Sequence, residues 1–123
     1  MQKVAITIWR QRLSPVFESS NQLMVVDCHQ GRIIKQSKYS FAAYSQLAKV
    51  EALNKLKVDL LICGAISSTY YNVLTASGIK VISFISGAWE EILNACLQKK
   101  SSLNGYKMPG CANKHRRRFR GGR

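Results

Sequence analysis

The chain has 123 residues, enough for one domain that buries a modest core without disulfide staples, so no second domain is expected. A hydrophobic share of 46% is ordinary for a globular protein, and no apolar run approaches the roughly 18 residues needed to span a bilayer. The net charge of +13 is not ordinary, and about half of the excess is terminal: from Lys107 onward there are seven Lys or Arg and no acid, against twelve basic and six acidic side chains in residues 1–106.

The first apolar run, Val4 to Trp9, is short and is closed by Arg10 and Arg12, which is not the pattern of a signal peptide; a cytoplasmic location is expected. Its β-branched and aromatic residues predict a strand. Arg10 to Phe17 contains Pro15, which disfavours helix at Ser14, and reads as a loop pinned by Val16 and Phe17. Gln22–Cys28, His29–Gly31 and Arg32–Gln36 read as strand, turn and strand of an antiparallel hairpin. From Phe41 to Lys57 the period changes to that of an amphipathic helix. Two strand, turn and helix units follow. Val58–Cys63 leads through Gly64 to a helix near Ser68–Ser77, and Ile79–Ile85 leads through Gly87 to a helix near Ser86–Lys99. Ser67 or Ser68 and Ser86 are the expected helix caps. The element order predicts a mixed sheet with helices on both faces, because each right-handed crossover must cover the sheet.

Gly64 and Gly87 are expected side by side at the carboxyl edge of the parallel strands, where backbone amides and helix amino ends can meet a ligand. Cys28, Cys63, Cys96 and Cys111 lie far apart with no C-x-x-C pair, so neither a zinc knuckle nor a redox dithiol is signalled. Cys28 and Cys96 read as core packers. Cys63 stands immediately before Gly64, where a helix amino end could acidify it and turn it toward the crevice. His29 falls in a turn and His115 in the basic tail, and no carboxylate neighbours either in sequence to orient it. Lys3 to Trp9 carries no carboxylate, which argues against two-metal nuclease chemistry. Gly-Ala-Ile-Ser-Ser lacks the further glycines and the Lys of a phosphate loop. No enzymatic activity is expected.

Taken in order, four features resemble the dinitrogenase iron-molybdenum cofactor biosynthesis family, small proteins and domains that handle nitrogenase-type metal clusters. They are the opening strand with Leu13-Ser14-Pro15-Val16-Phe17, the hairpin near Asp27 to Arg32, Val58-Asp59-Leu60-Leu61-Ile62-Cys63-Gly64-Ala65-Ile66, and Ser77-Gly78-Ile79-Lys80-Val81 leading to Gly87. The resemblance covers residues 3 to 97. It implies an α/β, three-layer ribonuclease H-like fold with a five-stranded mixed sheet in the order 3-2-1-4-5, strand 2 antiparallel to the rest. It also implies binding or carrying of an iron-sulfur or iron-molybdenum type cluster or its precursor, without catalysis, in exchange with a cluster donor or acceptor protein. Relatives with short basic ends often carry cysteines beside Pro-Gly-Cys; Met108-Pro109-Gly110-Cys111 keeps one cysteine and lacks its neighbour.

On this reading residues 1–104 form the domain and 105–123 a flexible basic tail. The crevice is bounded by Arg10 to Pro15, Cys63 to Ser67 and Ser86 to Ala88. Cys63 is the expected metal ligand, because a thiolate is the soft donor an iron-sulfur cluster takes. Arg10 and Arg12 supply positive charge, and Ser14, Gly64, Ala65, Ser67, Ser86 and Gly87 complete the cofactor-binding set. A rival reading takes the same scaffold as a nucleic-acid or acidic-partner binder. Its tail residues Arg116, Arg117, Arg118, Phe119 and Arg120 could contact phosphates and stack on bases.

Overall fold

The computed structural model describes residues 2–41, 45–98 and 105–107. The chain forms β1 (Gln2–Trp9), β2 (Arg12–Leu13), β3 (Gln22–His29), β4 (Arg32–Ser40), α1 (Gln46–Lys55), β5 (Leu60–Ile62), α2 (Ser68–Ala76), β6 (Lys80–Ile82) and α3 (Trp89–Gln98). Among the described residues, no helix is long and apolar enough to cross a membrane.

The mixed α/β architecture agrees with the sequence, but the strand count and order need correction. The sheet has six strands, with β4-β3-β1-β5-β6 along its path and β2 attached to β1 off that path. β1 is antiparallel to β2 and β3, while β1–β5 and β5–β6 are parallel. Both β2 and β3 therefore run against β1, β5 and β6. A two-residue strand is too short to carry an alternation, so Arg12–Leu13 read as loop. Ile8 pairs Gln22 on one side and Leu13 on the other, which places β2 on the β5 side of β1.

β1 is flanked on both sides and covered on both faces, which is why its Val4–Ile8 run is continuously buried rather than alternating. Its residues divide between two cores. Ala5 joins Phe17, Leu23, Phe41, Val50, Leu53, Leu61 and Leu74 under α1 and α2. Val4, Ile6 and Ile8 join Met24, Val26, Leu60, Ile62 and Ile92 under α3. Helices thus cover both faces and the domain has three layers.

Several boundaries move for local reasons. The β3–β4 hairpin closes through Gln30 and Gly31, at φ +53° and +78°, with His29 paired to Arg32 inside the ladder. Two left-handed residues match the natural twist of a two-residue hairpin. α1 begins at Gln46, because Ser45 caps it by accepting the Ala48 amide at 3.1 Å. Phe41, expected in that helix, is instead a loop residue 2% exposed in the core, its amide donating to Asn21. α3 begins at Trp89, so Ser86 does not cap it.

α1 contributes an unusual core residue. Lys49 is only 3% exposed, and its ammonium donates to the carbonyl oxygens of Phe17 and Glu18 at 3.3 and 2.8 Å. It lies 5.8 Å from the ring centres of both Phe17 and Phe41. The hydrogen bonds and the aromatic faces together compensate the desolvation that pushes its pKa down. Lys49 therefore ties the segment leaving β2 to α1. Lys49→Met keeps the apolar stem and removes two charged hydrogen bonds, and is expected to cost about 1–3 kcal/mol of stability, although Ser20 still donates to the Phe17 carbonyl and Gln46 to that of Glu18. Urea denaturation reads this directly; an unchanged midpoint would show that the ammonium does not hold that segment.

Candidate functional site

β1, β5 and β6 are parallel, so Trp9, Ile62 and Ile82 end at one edge of the sheet, and the turns that follow form its rim. The strand from Val58 ends with Cys63 and turns at Gly64. The expected opening beside that turn is filled by the chain itself. Val16 forms a parallel bridge with Ala65. The Ala65 amide donates to Pro15 at 2.7 Å, and the Phe17 amide donates back to the Ala65 carbonyl at 2.8 Å. A Cβ on Gly64 would lie 2.3 Å from the Pro15 carbonyl oxygen and 2.5 Å from that of Ser14. Glycine is required here for close backbone approach, not for an exposed anion nest.

The other expected contacts are also used internally. Ser14 is 4% exposed; its amide donates to Thr7 and its hydroxyl to the Val16 carbonyl. Ser67 caps α2, accepting the Tyr70 amide, while its own amide donates to the Glu18 carboxylate at 3.0 Å. A protein carboxylate thus occupies the position where an external anion was expected. Burial alone would raise the Glu18 pKa, but hydrogen bonds from Ser67 and the nearby Lys49 charge hold it below the usual value. The Ser86 amide donates to Tyr106 at 2.7 Å, and the Tyr106 ring lies 3.3 Å from where a Gly87 Cβ would stand. Gly87, at φ +133°, also accepts the Leu13 amide, locking the turn after β6 onto β2.

Cys63 does not face a crevice. It is 0% exposed and sits among Phe17, Leu61 and Ile66 on the α1–α2 side. Burial first, and the Glu18 charge second, push its thiol up to about 12. A neutral, enclosed thiol is not placed to ligate a metal at this rim. The local pattern of an apolar strand ending before glycine was compatible with either orientation, and core packing decided it.

Arg10 and Arg12 stand together at the tip of the β1–β2 hairpin rather than beside Gly64. With Trp9, Gln11 and Lys38 they line a cleft of about 620 Å³. Trp9 is 52% exposed, and the Arg10 guanidinium stacks 4.7 Å from its ring centre. Arg10 adopts φ +60°, a left-handed conformation uncommon outside glycine that the two-residue turn imposes. Lys38 arrives from β4, whose partner strand brings it across the sheet; nothing in its local sequence marks it. Among its described lining residues the cleft contains three cations, an amide, an indole and no carboxylate. Arg116, Arg117, Arg118, Phe119 and Arg120, together with Cys111 and His115, lie outside the described residues.

The fold and this rim define a small three-layer α/β domain whose open surface at the strand ends is a cationic hairpin cleft. Residues 1–99 match the family described as dinitrogenase iron-molybdenum cofactor, and the chain belongs to that family. No curated protein matches the chain. Among solved structures, the protein PH0822 superposes with a TM-score of 0.79 at 14% identity, covering 92% of this chain and 99% of its own. MJ0327 of Methanocaldococcus jannaschii, described as a candidate dinitrogenase, gives 0.66 at 18% identity, over 78% and 88%. The apo form of the orange protein of Desulfovibrio gigas gives 0.62 at 21% identity, over 89% and 94%. At these identities the likeness is one of fold.

Two expectations follow from the rim's construction. Gly64→Ala forces backbone apart between β5 and the Pro15 segment, and should cost about 3 kcal/mol or more, seen as a lower thermal midpoint or failure to fold; tolerance of alanine would disprove the close approach. Glu18 has a folded pKa below its unfolded one, so its stabilisation is present above the ordinary carboxylate range and is lost as pH falls through the folded value. Denaturation midpoints from about pH 7 to about pH 3 should therefore fall less steeply in Glu18→Gln than in the parent.

Proposed function

We propose that this protein is a cytoplasmic, non-enzymatic binder or carrier of an anionic metal-sulfur cluster of iron-sulfur or iron-molybdenum type, or its precursor, held in the cleft of Arg10, Arg12 and Lys38. The observation that carries this reading is the charge of the cleft: its described lining residues supply three cations and no carboxylate. Sulfide-rich clusters with anionic ligands are electron-rich guests, for which guanidinium and ammonium donors offer charge-assisted hydrogen bonds. The exposed Trp9 adds an apolar, polarisable wall beside them. Membership of a family described by the iron-molybdenum cofactor supports the class of guest.

In this reading the protein does not bond to the cluster through Cys63, whose thiol is buried on the α1–α2 side of the sheet. The cluster is cargo, and its metal atoms keep the ligands they arrive with. Holding it by charge and hydrogen bonds leaves no protein-metal bond to break on release, which suits exchange with a donor or acceptor protein.

The test is anaerobic incubation of the full chain with a preformed thiolate-ligated iron-sulfur cluster, followed by gel filtration at low and high salt. The parent should elute with the cluster's charge-transfer absorbance, and less of it at high salt. Arg10→Glu with Arg12→Glu should weaken retention by about tenfold or more, each lost charged hydrogen bond being worth about 1.5–3 kcal/mol, while Cys63→Ala should retain the cluster. Retention that survives the double charge reversal and disappears in a folded Cys63→Ala would sink this reading.

A further inference from the structure

At the opposite end of β1 from the hairpin cleft, a cavity of about 280 Å³ opens between the β3–β4 turn and the C-terminal turn of α3. Cys28, from the end of β3, and Cys96, from α3, both line it, together with Gln2, His29, Gln30 and Leu97. Both cysteines are thiols rather than a disulfide. Cys28 is 4% exposed and Cys96 half-buried, whereas His29 stands exposed at the mouth.

The electrostatics of this cavity are the reverse of those at the hairpin. In a chain of net charge +13, no Lys or Arg is among its described lining residues. The C-terminal end of α3 closes one wall, and the Leu97 carbonyl oxygen lies 3.8 Å from where a Gly31 Cβ would stand. A helix C-terminus carries partial negative charge. Asp27, 3.9 Å from the Lys3 ammonium, adds a carboxylate next to Cys28 in sequence. Burial, the neighbouring Cys96 and Asp27 all raise the Cys28 pKa, so a second negative charge in this cavity is penalised unless a cation shares it.

Thiolates are soft donors, which favour soft d10 cations over hard ones. Among the described residues no three His, Cys, Asp or Glu side chains converge as a metal site, which disfavours the four-coordinate sphere a structural zinc requires. Two sulfurs in one small cavity instead suit a two-coordinate monovalent ion. We infer that Cys28 and Cys96 form a binding site for a soft, thiophilic monovalent cation of the Cu(I) type, separate from the hairpin cleft. On binding, each thiol gives up its proton, both sulfurs donate to the metal, and the metal's oxidation state does not change.

The probe is Cu(I) itself, titrated anaerobically into the reduced full chain against a chromophoric Cu(I) chelator. The expected result is one tight site per chain, with affinity reduced by at least about 100-fold in Cys28→Ser and in Cys96→Ser, and unchanged in Cys111→Ser. Equal affinity in the Cys28→Ser, Cys96→Ser double variant, or a site that vanishes with Cys111→Ser, overturns the assignment. Should either serine variant fail to fold, copper-edge X-ray absorption of the parent decides: a first shell of sulfur alone supports the site, and a nitrogen- or oxygen-dominated shell overturns it. Zn²⁺ binding as tightly as Cu(I) would also overturn it, since the described residues offer no four-ligand set.

Discussion

The structure depends on one backbone-to-backbone approach, the docking of Ser14–Phe17 against Gly64 and Ala65. Two reciprocal hydrogen bonds and a glycine with no room for a side chain seal the boundary between the carboxyl ends of β1 and β5. Backbone amides at such an edge must find partners, and when the partner is the chain's own carbonyl groups they are no longer available to a guest. The same segment supplies Phe17 to the α1–α2 core, the carbonyls that accept from the Lys49 ammonium, and the carboxylate of Glu18 that accepts from the amide of the α2 cap residue Ser67. One short stretch thus closes the sheet edge, anchors two helices and determines where ligands cannot go.

That closure moves chemistry outward. With the Gly64 and Gly87 turns locked by Pro15, Leu13 and Tyr106, an open cleft among the described residues near the strand ends lies at the hairpin that precedes the docked segment. Its tip is held by ladder pairing from Ile8 to Leu13 and Trp9 to Arg12, so its charges are presented by a hydrogen-bonded hairpin. Positive charge exposed to solvent is screened by salt, which suits reversible association better than permanent retention.

The two cavities divide the molecule electrostatically. The hairpin cleft gathers cations beside an indole, and the cavity at the far end of β1 gathers thiols beside a helix C-terminus. The first favours an electron-rich guest and the second an electron-poor one. Their separation by the length of β1 means that neither set of charges cancels the other, even though the whole chain is strongly basic.

Much of this was written in residue order. β-branched runs announced β1 and β3, the change of period announced α1, and the pair Ser67 and Ser68 announced the start of α2, because these depend on neighbours one to four residues away. Arg10 and Arg12 were legible as a charged pair for the same reason. The two-residue β2, the side of the sheet toward which Cys63 points, the arrival of Lys38 beside Arg10, and the shared cavity of Cys28 and Cys96 were not. Each of those is a meeting of segments distant in sequence, settled by which backbone groups pair and which side chains fill the core. Local sequence therefore determined the elements and their charges, whereas packing alone decided which of those charges and thiols came to face an opening.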